Sequence, residues 1–150
     1  TDQLIDGFNS LAHVRPPLRS ESDKELLRQG VKEGVIDAIC THHEPLSSSA
    51  KMAPFAETQP GFTAFDSYIP FGIQLVNEGL FTPLEWVEKV TVSAAKVANM
   101  LERWKTESGW VLIDPQLEWV VAKDKILSQG KNTPLLGQTL IGKTERVFVV

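Results

Sequence analysis

Val35-Ile36-Asp37-Ala38-Ile39-Cys40, followed at once by Thr41-His42-His43-Glu44-Pro45, is the stretch that decides the fold. Its first half is β-branched, mostly apolar and too short for a helix, which predicts a buried parallel strand. Immediately upstream, Ser20-Glu21-Ser22-Asp23-Lys24-Glu25 reads as a helix start. Ser20 or Ser22 can cap it, Asp23 or Glu25 can close a capping box, and the acidic first turn suits the helix dipole. Leu26, Leu27, Gly30 and Val31 then line one face, and Gly34 is a natural stop. A helix that runs directly into such a strand is half of a β/α repeat, so the fold class is α/β. Further upstream, Arg15-Pro16-Pro17 bars a helix and holds Arg15 extended.

Downstream, residues 41–62 form a polar loop with Ser47-Ser48-Ser49 and Pro45, Pro54 and Pro60. A loop of that length after a buried strand carries function more often than not. A helix is predicted from Phe62 to Glu78, with Phe65, Ile69, Ile73 and Val76 on one face, Pro70 kinking or splitting it, and Gly79 ending it. Thr82-Pro83-Leu84-Glu85 supplies a Thr cap, Pro at the first position and Glu at the third, with Leu84, Val87 and Val90 following at helical spacing. Ser93 is expected to cap one further helix, Ala94 to Arg103, with Val97 and Leu101 inward. Beyond Trp104, residues 110–113, 117–122, 138–142 and 144–150 read as short strands punctuated by Asp114-Pro115, Gly130, Pro134, Gly137 and Gly142. The chain thus divides into β/α segments over 1–104 and a small β module over 105–150.

Composition narrows the function. The 150 residues carry 15 Lys+Arg against 19 Asp+Glu, a net charge of −4, which argues against the clustered basic surface that nucleic acid needs. A hydrophobic share of 42% with 23% charged residues is that of a folded globular chain. The single cysteine, Cys40, excludes an intrachain disulfide framework and fits a reducing compartment. No apolar run has the length of a membrane span and the first residues carry no secretory pattern, so the expected location is cytoplasmic.

Candidate chemistry clusters just past the strand, where parallel sheets build their active sites. Cys40 and His42 stand two apart, so on a strand they face the same way and could share a metal. His42 and His43 would point to opposite faces. Zinc needs three or four convergent ligands, and the plainer reading is a polar loop edge with hydrogen-bonded histidines. A Cys40–His43 nucleophile is weaker, because a cysteine ending an apolar run is ordinarily a buried structural thiol. His13 reads as a loop residue. Trp86, Trp104, Trp110 and Trp119 read as core or junction residues rather than a stacking platform. Lys123-Asp124-Lys125 is a mixed-sign solvated stretch.

Several segments together resemble the C-terminal part of the dihydroorotases, in the amidohydrolase superfamily. They are Val14-Arg15-Pro16-Pro17-Leu18-Arg19-Ser20, Ile36 through Pro45, the Pro60-Gly61-Phe62 turn, and Gly130-Lys131-Asn132-Thr133-Pro134-Leu135-Leu136-Gly137. The resemblance covers nearly the whole chain, from Asp6 to Val150. It implies the last segments of a metal-dependent (β/α)8 barrel plus a contribution to a small β-sandwich. On that footing the 150 residues are about a third to two-fifths of a larger architecture, since a barrel alone takes ~250. The family reaction is the reversible ring closure of N-carbamoyl-aspartate to dihydroorotate, with zinc-bound hydroxide as the nucleophile for ring opening and a barrel carboxylate as ligand and proton shuttle.

The positions that the resemblance assigns to catalysis are altered. Where the family has a substrate-holding Asn before Pro-Pro, this chain has Arg15. Where an Asp-His-Ala-Pro-His segment opens with the catalytic Asp, it has His42, and where that segment ends with a substrate-contacting His, it has Leu46. Pro60 and Gly61, whose backbone faces substrate in the family, are retained. The remaining zinc ligands belong to earlier strands, so the resemblance implies no catalytic residue, no metal site and no cofactor in this chain itself, with His42 the one candidate ligand. An imidazole does not supply a carboxylate's charge, Leu46 has no polar atom to orient a substrate, and Arg15 is long enough to fill the pocket.

The leading expectation is a non-catalytic dihydroorotase-like chain of pyrimidine biosynthesis that supports aspartate transcarbamoylase, with the rest of the barrel or a second copy as a further partner. The alternative is a fragment of an active zinc dihydroorotase or related cyclic-amide hydrolase, with His42 a surviving ligand. A free-standing binding module is disfavoured, because the double-proline and Asn-Thr-Pro segments match family loops rather than generic turns. Open parallel strands are ordinarily covered on both faces, so a lone monomer of this chain is expected to fold poorly.

Overall fold

Ser20 settles the start of the first helix. Its hydroxyl accepts from the Asp23 amide at 3.2 Å and donates to the Asp23 carboxylate at 2.9 Å, closing the cap from which α1 (Glu21–Lys32) runs. That hydroxyl, helped by Arg19, holds the Asp23 carboxyl below the usual range. The computed structural model describes residues 1–107 and 109–149. After α1 come α2 (Phe65–Asn77), α3 (Pro83–Val90), α4 (Val92–Val97) and α5 (Leu101–Glu107), then β1 (Trp110–Val120) and β2 (Thr139–Phe148). The chain is therefore an α/β piece. Among the described residues, no helix is long and apolar enough to cross a membrane.

The expected strand at 35–40 does not form. Residues 37–40 carry no regular structure, Val35 is 76% exposed and Cys40 is exposed rather than a buried thiol. A strand is held by a neighbouring strand, and the backbone bonds here go elsewhere: the Ile36 amide donates to Gly30 O and the Ile39 amide to Lys89 O of α3 (Pro83–Val90). Apolar character alone made the segment strand-like, and among the described residues no strand lies beside it.

The second helix keeps its proline. Pro70 lies inside α2 without splitting it. At α3 the capping box is complete: the Glu85 amide donates to Thr82 Oγ1 at 3.3 Å and the Thr82 amide to Glu85 Oε2 at 2.7 Å, which holds the Glu85 carboxyl below its usual range. Its buried residue is Trp86, whereas Leu84 and Val87 are exposed. The single helix expected from Ala94 to Arg103 is instead two. Asn99 adopts a left-handed conformation (φ 54°) between α4 and α5, Ser93 lies inside α4, and Val97 is exposed.

The four short strands expected beyond Trp104 are two long ones. Asp114-Pro115 does not end β1, because the Asp114 carboxylate accepts from the Gln116 and Leu117 amides and turns the chain locally without breaking it. Gly142 lies within β2, and its carbonyl accepts from the buried Trp119 indole at 3.0 Å. With Gly109 beside Phe148 and Trp119 beside Gly142, the pair is antiparallel. Trp110, expected in the core or at a junction, is 74% exposed.

The chain forms two compact units, each from three segments: Thr1–Leu26, Thr41–Tyr68 and Val120–Leu140 in the first, and Leu27–Cys40, Ile69–Trp119 and Ile141–Val150 in the second. The second unit is built on Val31, Phe81 and Trp86, with Ile36, Ile39, Ile69, Val76 and Val90 packed around them. The interior of the first is unusually polar. Ala12, Ala64, Val121, Ile126 and Leu135 share it with Lys51, Thr58, Thr63, Ser67, Asn132 and Thr133.

Candidate functional site

Burying that many polar groups is tolerable only if they are hydrogen-bonded, and in the first unit they are. Asn132 is the hub. Its Oδ1 accepts from the Leu46 amide at 2.7 Å and the Thr63 hydroxyl at 2.9 Å, while its Nδ2 donates to Glu44 O and Gly61 O at 3.1 Å each. Its carbonyl also accepts from the Thr63 amide at 2.9 Å. One amide thereby ties together the 42–46 loop, the 60–63 turn and the 130–133 segment. Glycine at 61 is required for the second of these: at φ +131°, a Cβ would fall 2.7 Å from Glu44 Cβ.

Pro60 is half-buried and Gly61 buried, with the Gly61 amide donating to His13 O at 2.9 Å. Leu46 is half-buried against the hub through its backbone. Arg15 is exposed, and the Arg15–Pro16 peptide is cis. His42 is also exposed and left-handed (φ 44°), with Glu44 Oε2 at 3.8 Å from its Nε2. A half-exposed imidazole–carboxylate pair of this kind can contribute one metal ligand, but offers no nucleophile.

The adjacent histidine does more. His43 Nδ1 accepts from the Ala64 and Phe65 amides at 3.0 and 3.1 Å, satisfying two donors at the start of α2. Two donors aimed at Nδ1 place the proton on Nε2, which donates to Ser128 Oγ at 3.2 Å. The ring stacks on Phe65 at 3.8 Å and an interplanar angle of 3°. With both nitrogens engaged, His43 is not a free base for Cys40, and the absence of a strand removes the shared face proposed for Cys40 and His42. Among the described residues, no three His, Cys, Asp or Glu side chains come together as a metal would need.

Lys51 completes the site. It is 6% exposed, and its ammonium donates to His13 O at 3.0 Å and Gln59 O at 2.7 Å. Burial pushes its pKa below the usual lysine value, opposed by Glu44. His13 Nδ1 in turn meets Thr58 Oγ1 at 2.7 Å, and its ring lies 4.7 Å from that of Phe55. Sequence reasoning weighed His42 over His43, passed over Lys51, and met Asn132 as part of a motif without its role. The polar loop flanked by an Asn-Thr-Pro segment was the signal available for them.

No family model matches the chain. It is 37% identical, over 99% of its length, to a dihydroorotase-like protein of Pseudomonas aeruginosa, and 36% identical, again over 99%, to a dihydroorotase of Syntrophus aciditrophicus. The sequence is similar to dihydroorotases over nearly its whole length. It spans 36% of the length of either relative. Its fold matches that of an L-hydantoinase (dihydropyrimidinase) from Arthrobacter aurescens with a TM-score of 0.83 at 19% identity, over 99% of this chain and 35% of that one.

The chain therefore has a loop frame held from behind by Asn132, His43 and Lys51, with Arg15 and His42 turned to solvent. Removing the histidine clamp tests this. His43→Ala leaves the Ala64 and Phe65 amides without their acceptor and is expected to cost about 0.5–2 kcal/mol, the range for a lost helix cap. Urea denaturation measures it, and a midpoint equal to that of the parent would mean that solvent satisfies those amides as well as the ring does.

Proposed function

We propose that the chain is the C-terminal part of a dihydroorotase-like (β/α)8 protein with a small β-sandwich, and that it is non-catalytic, cytoplasmic and structural, supporting aspartate transcarbamoylase in pyrimidine biosynthesis. The observation that carries this reading is His42, which we read as standing where the family has its catalytic Asp and which is exposed with Glu44 as its charged neighbour. The altered Arg15 and Leu46 point the same way. The residues present do not fit a zinc site: His43 has spent its lone pair on backbone amides, and no third ligand joins His42 and Glu44 among the described residues. No step through a metal is derived for this chain.

Exposed apolar side chains, Val35 next to the irregular 37–40 stretch and Trp110 on β1 among them, support a partner in the remainder of a barrel or a second copy. The test is cyclisation of N-carbamoyl-aspartate by the purified full-length protein with added zinc. No turnover is expected, together with co-elution with aspartate transcarbamoylase on sizing. Turnover that disappears in His42→Ala would overturn the non-catalytic reading, and failure to co-elute under several conditions would overturn the partnership.

A second reading has its own support, since relatives at 36% and 35% identity carry the plain name dihydroorotase. In that reading the chain is part of an active zinc enzyme acting on a cyclic amide. Stoichiometric zinc in the full-length protein, lost on His42→Ala, would favour it.

A further inference from the structure

Within the first unit, beside the Asn132 hub, lies a cavity of about 440 Å³, a size typical of small-molecule sites. Its wall is apolar where Leu11, Leu46 and Leu136 line it, and basic where Lys51, Lys123 and Lys131 do. Among the described residues no carboxylate lines it. Three lysines around one concavity run against the composition of a chain whose net charge is −4.

The donors are also incompletely spent. An ammonium has three N–H donors. Lys51, buried and bonded to His13 O and Gln59 O, keeps one. Lys131 gives one to Ile126 O and keeps two, and Lys123 makes no hydrogen bond or ion pair among the described residues. Glu44 attracts Lys51 electrostatically but is not part of the wall. Of the three only Lys51 is buried, and a buried charge with an unspent donor is costly unless a counter-charge meets it; Lys131 is half-buried and Lys123 exposed at the rim. The hub amide cannot serve as that partner, because both its hydrogens and its oxygen are engaged.

We infer that this cavity binds a small organic anion, its carboxylate or phosphate group held by Lys51, Lys123 and Lys131 and its apolar body lying against Leu11, Leu46 and Leu136. The inference does not rest on the proposed non-catalytic role, since it concerns binding rather than turnover. The cavity reads as a recognition site: charge-assisted hydrogen bonds fix the head group, and the leucines set the length and shape of the tail.

Calorimetric titration of the full expressed chain, in the assembly in which it purifies, with hexanoate, hexyl phosphate and hexanol tests it. At least one of the two anions is expected to bind saturably, and hexanol, which has the same tail without the charge, at least about tenfold more weakly. The stronger of the anions identifies the head group. Lys51→Met risks the fold, so the variant of choice is the double substitution Lys123→Gln/Lys131→Gln. It is expected to weaken anion binding about tenfold or more while leaving the circular dichroism spectrum and melting curve unchanged. Hexanol binding as tightly as the anions, anion binding indifferent to the double substitution, or no saturable binding at millimolar ligand would each overturn the proposal.

Discussion

Asn132→Asp is expected to unfold the first unit. The side chain is 3% exposed, and its Nδ2 points both hydrogens at carbonyl oxygens, those of Glu44 and Gly61. Aspartate puts an acceptor bearing negative charge where those donors were, so two attractions become two repulsions inside a low-dielectric pocket. The Leu46 amide and Thr63 hydroxyl keep an acceptor, but they do not offset a buried, unpaired carboxylate. Uncompensated burial of a charge costs about 3–5 kcal/mol, a large fraction of the stability of an ordinary domain. Loss of protection at the amides of residues 44–46 and 61–63, read by hydrogen exchange, locates the effect as urea denaturation measures it. A variant within about 0.5 kcal/mol of the parent would remove Asn132 from the hub, since that is the range of neutral surface changes.

In the second unit the matching experiment is Gly72→Ala. A Cβ on Gly72 of α2 would fall 2.0 Å from Trp86 Cε2 and 2.1 Å from Cζ2, and Trp86 is buried with Val31 and Phe81. Two effects compete. Alanine in a helix interior gains about 1 kcal/mol over glycine in propensity, whereas overpacking a core costs about 1–3 kcal/mol and occasionally more. The contact falls on a rigid, buried indole rather than on the flexible end of a side chain, so overpacking wins, by about 2 kcal/mol at the upper end of those ranges. Tryptophan fluorescence moving to the red, with a lowered melting temperature, would show Trp86 displaced. A stabilised variant would show that the ring and the helix do not meet.

The parts of the fold legible in the sequence are those decided by neighbours along the chain. Ser20 with Asp23, and Thr82 with Glu85, form capping contacts three residues apart, and both were readable as spacing. The failures have one cause. Val35 to Cys40 has strand composition, but a strand is a relation between two segments, and the second is not among the described residues. Asn99 splits a helix through a left-handed backbone that its residue type permits but does not announce. The site divides along the same line. The His42–Glu44 loop was marked by local composition, whereas Asn132 acts on residues 69 to 88 positions away and Lys51 on a carbonyl 38 positions away. Two adjacent histidines look alike in a string of letters. Only the position of the α2 amides makes one a clamp and leaves the other exposed.

Cys40, exposed at the end of the irregular 37–40 stretch and alone of its kind in the chain, gives the protein a built-in gauge. A maleimide or disulfide reagent has one thiol to find, so the rate of a single, stoichiometric modification reports how freely solvent reaches that edge. Free chain is expected to react at the pace of a small-molecule thiol. Any assembly that lays a strand or a neighbouring subunit over the edge would slow it in proportion to the time that it is covered. The same residue can carry a fluorophore for distance measurements with no background cysteines to remove, so occupancy of this surface can be followed by counting a single label.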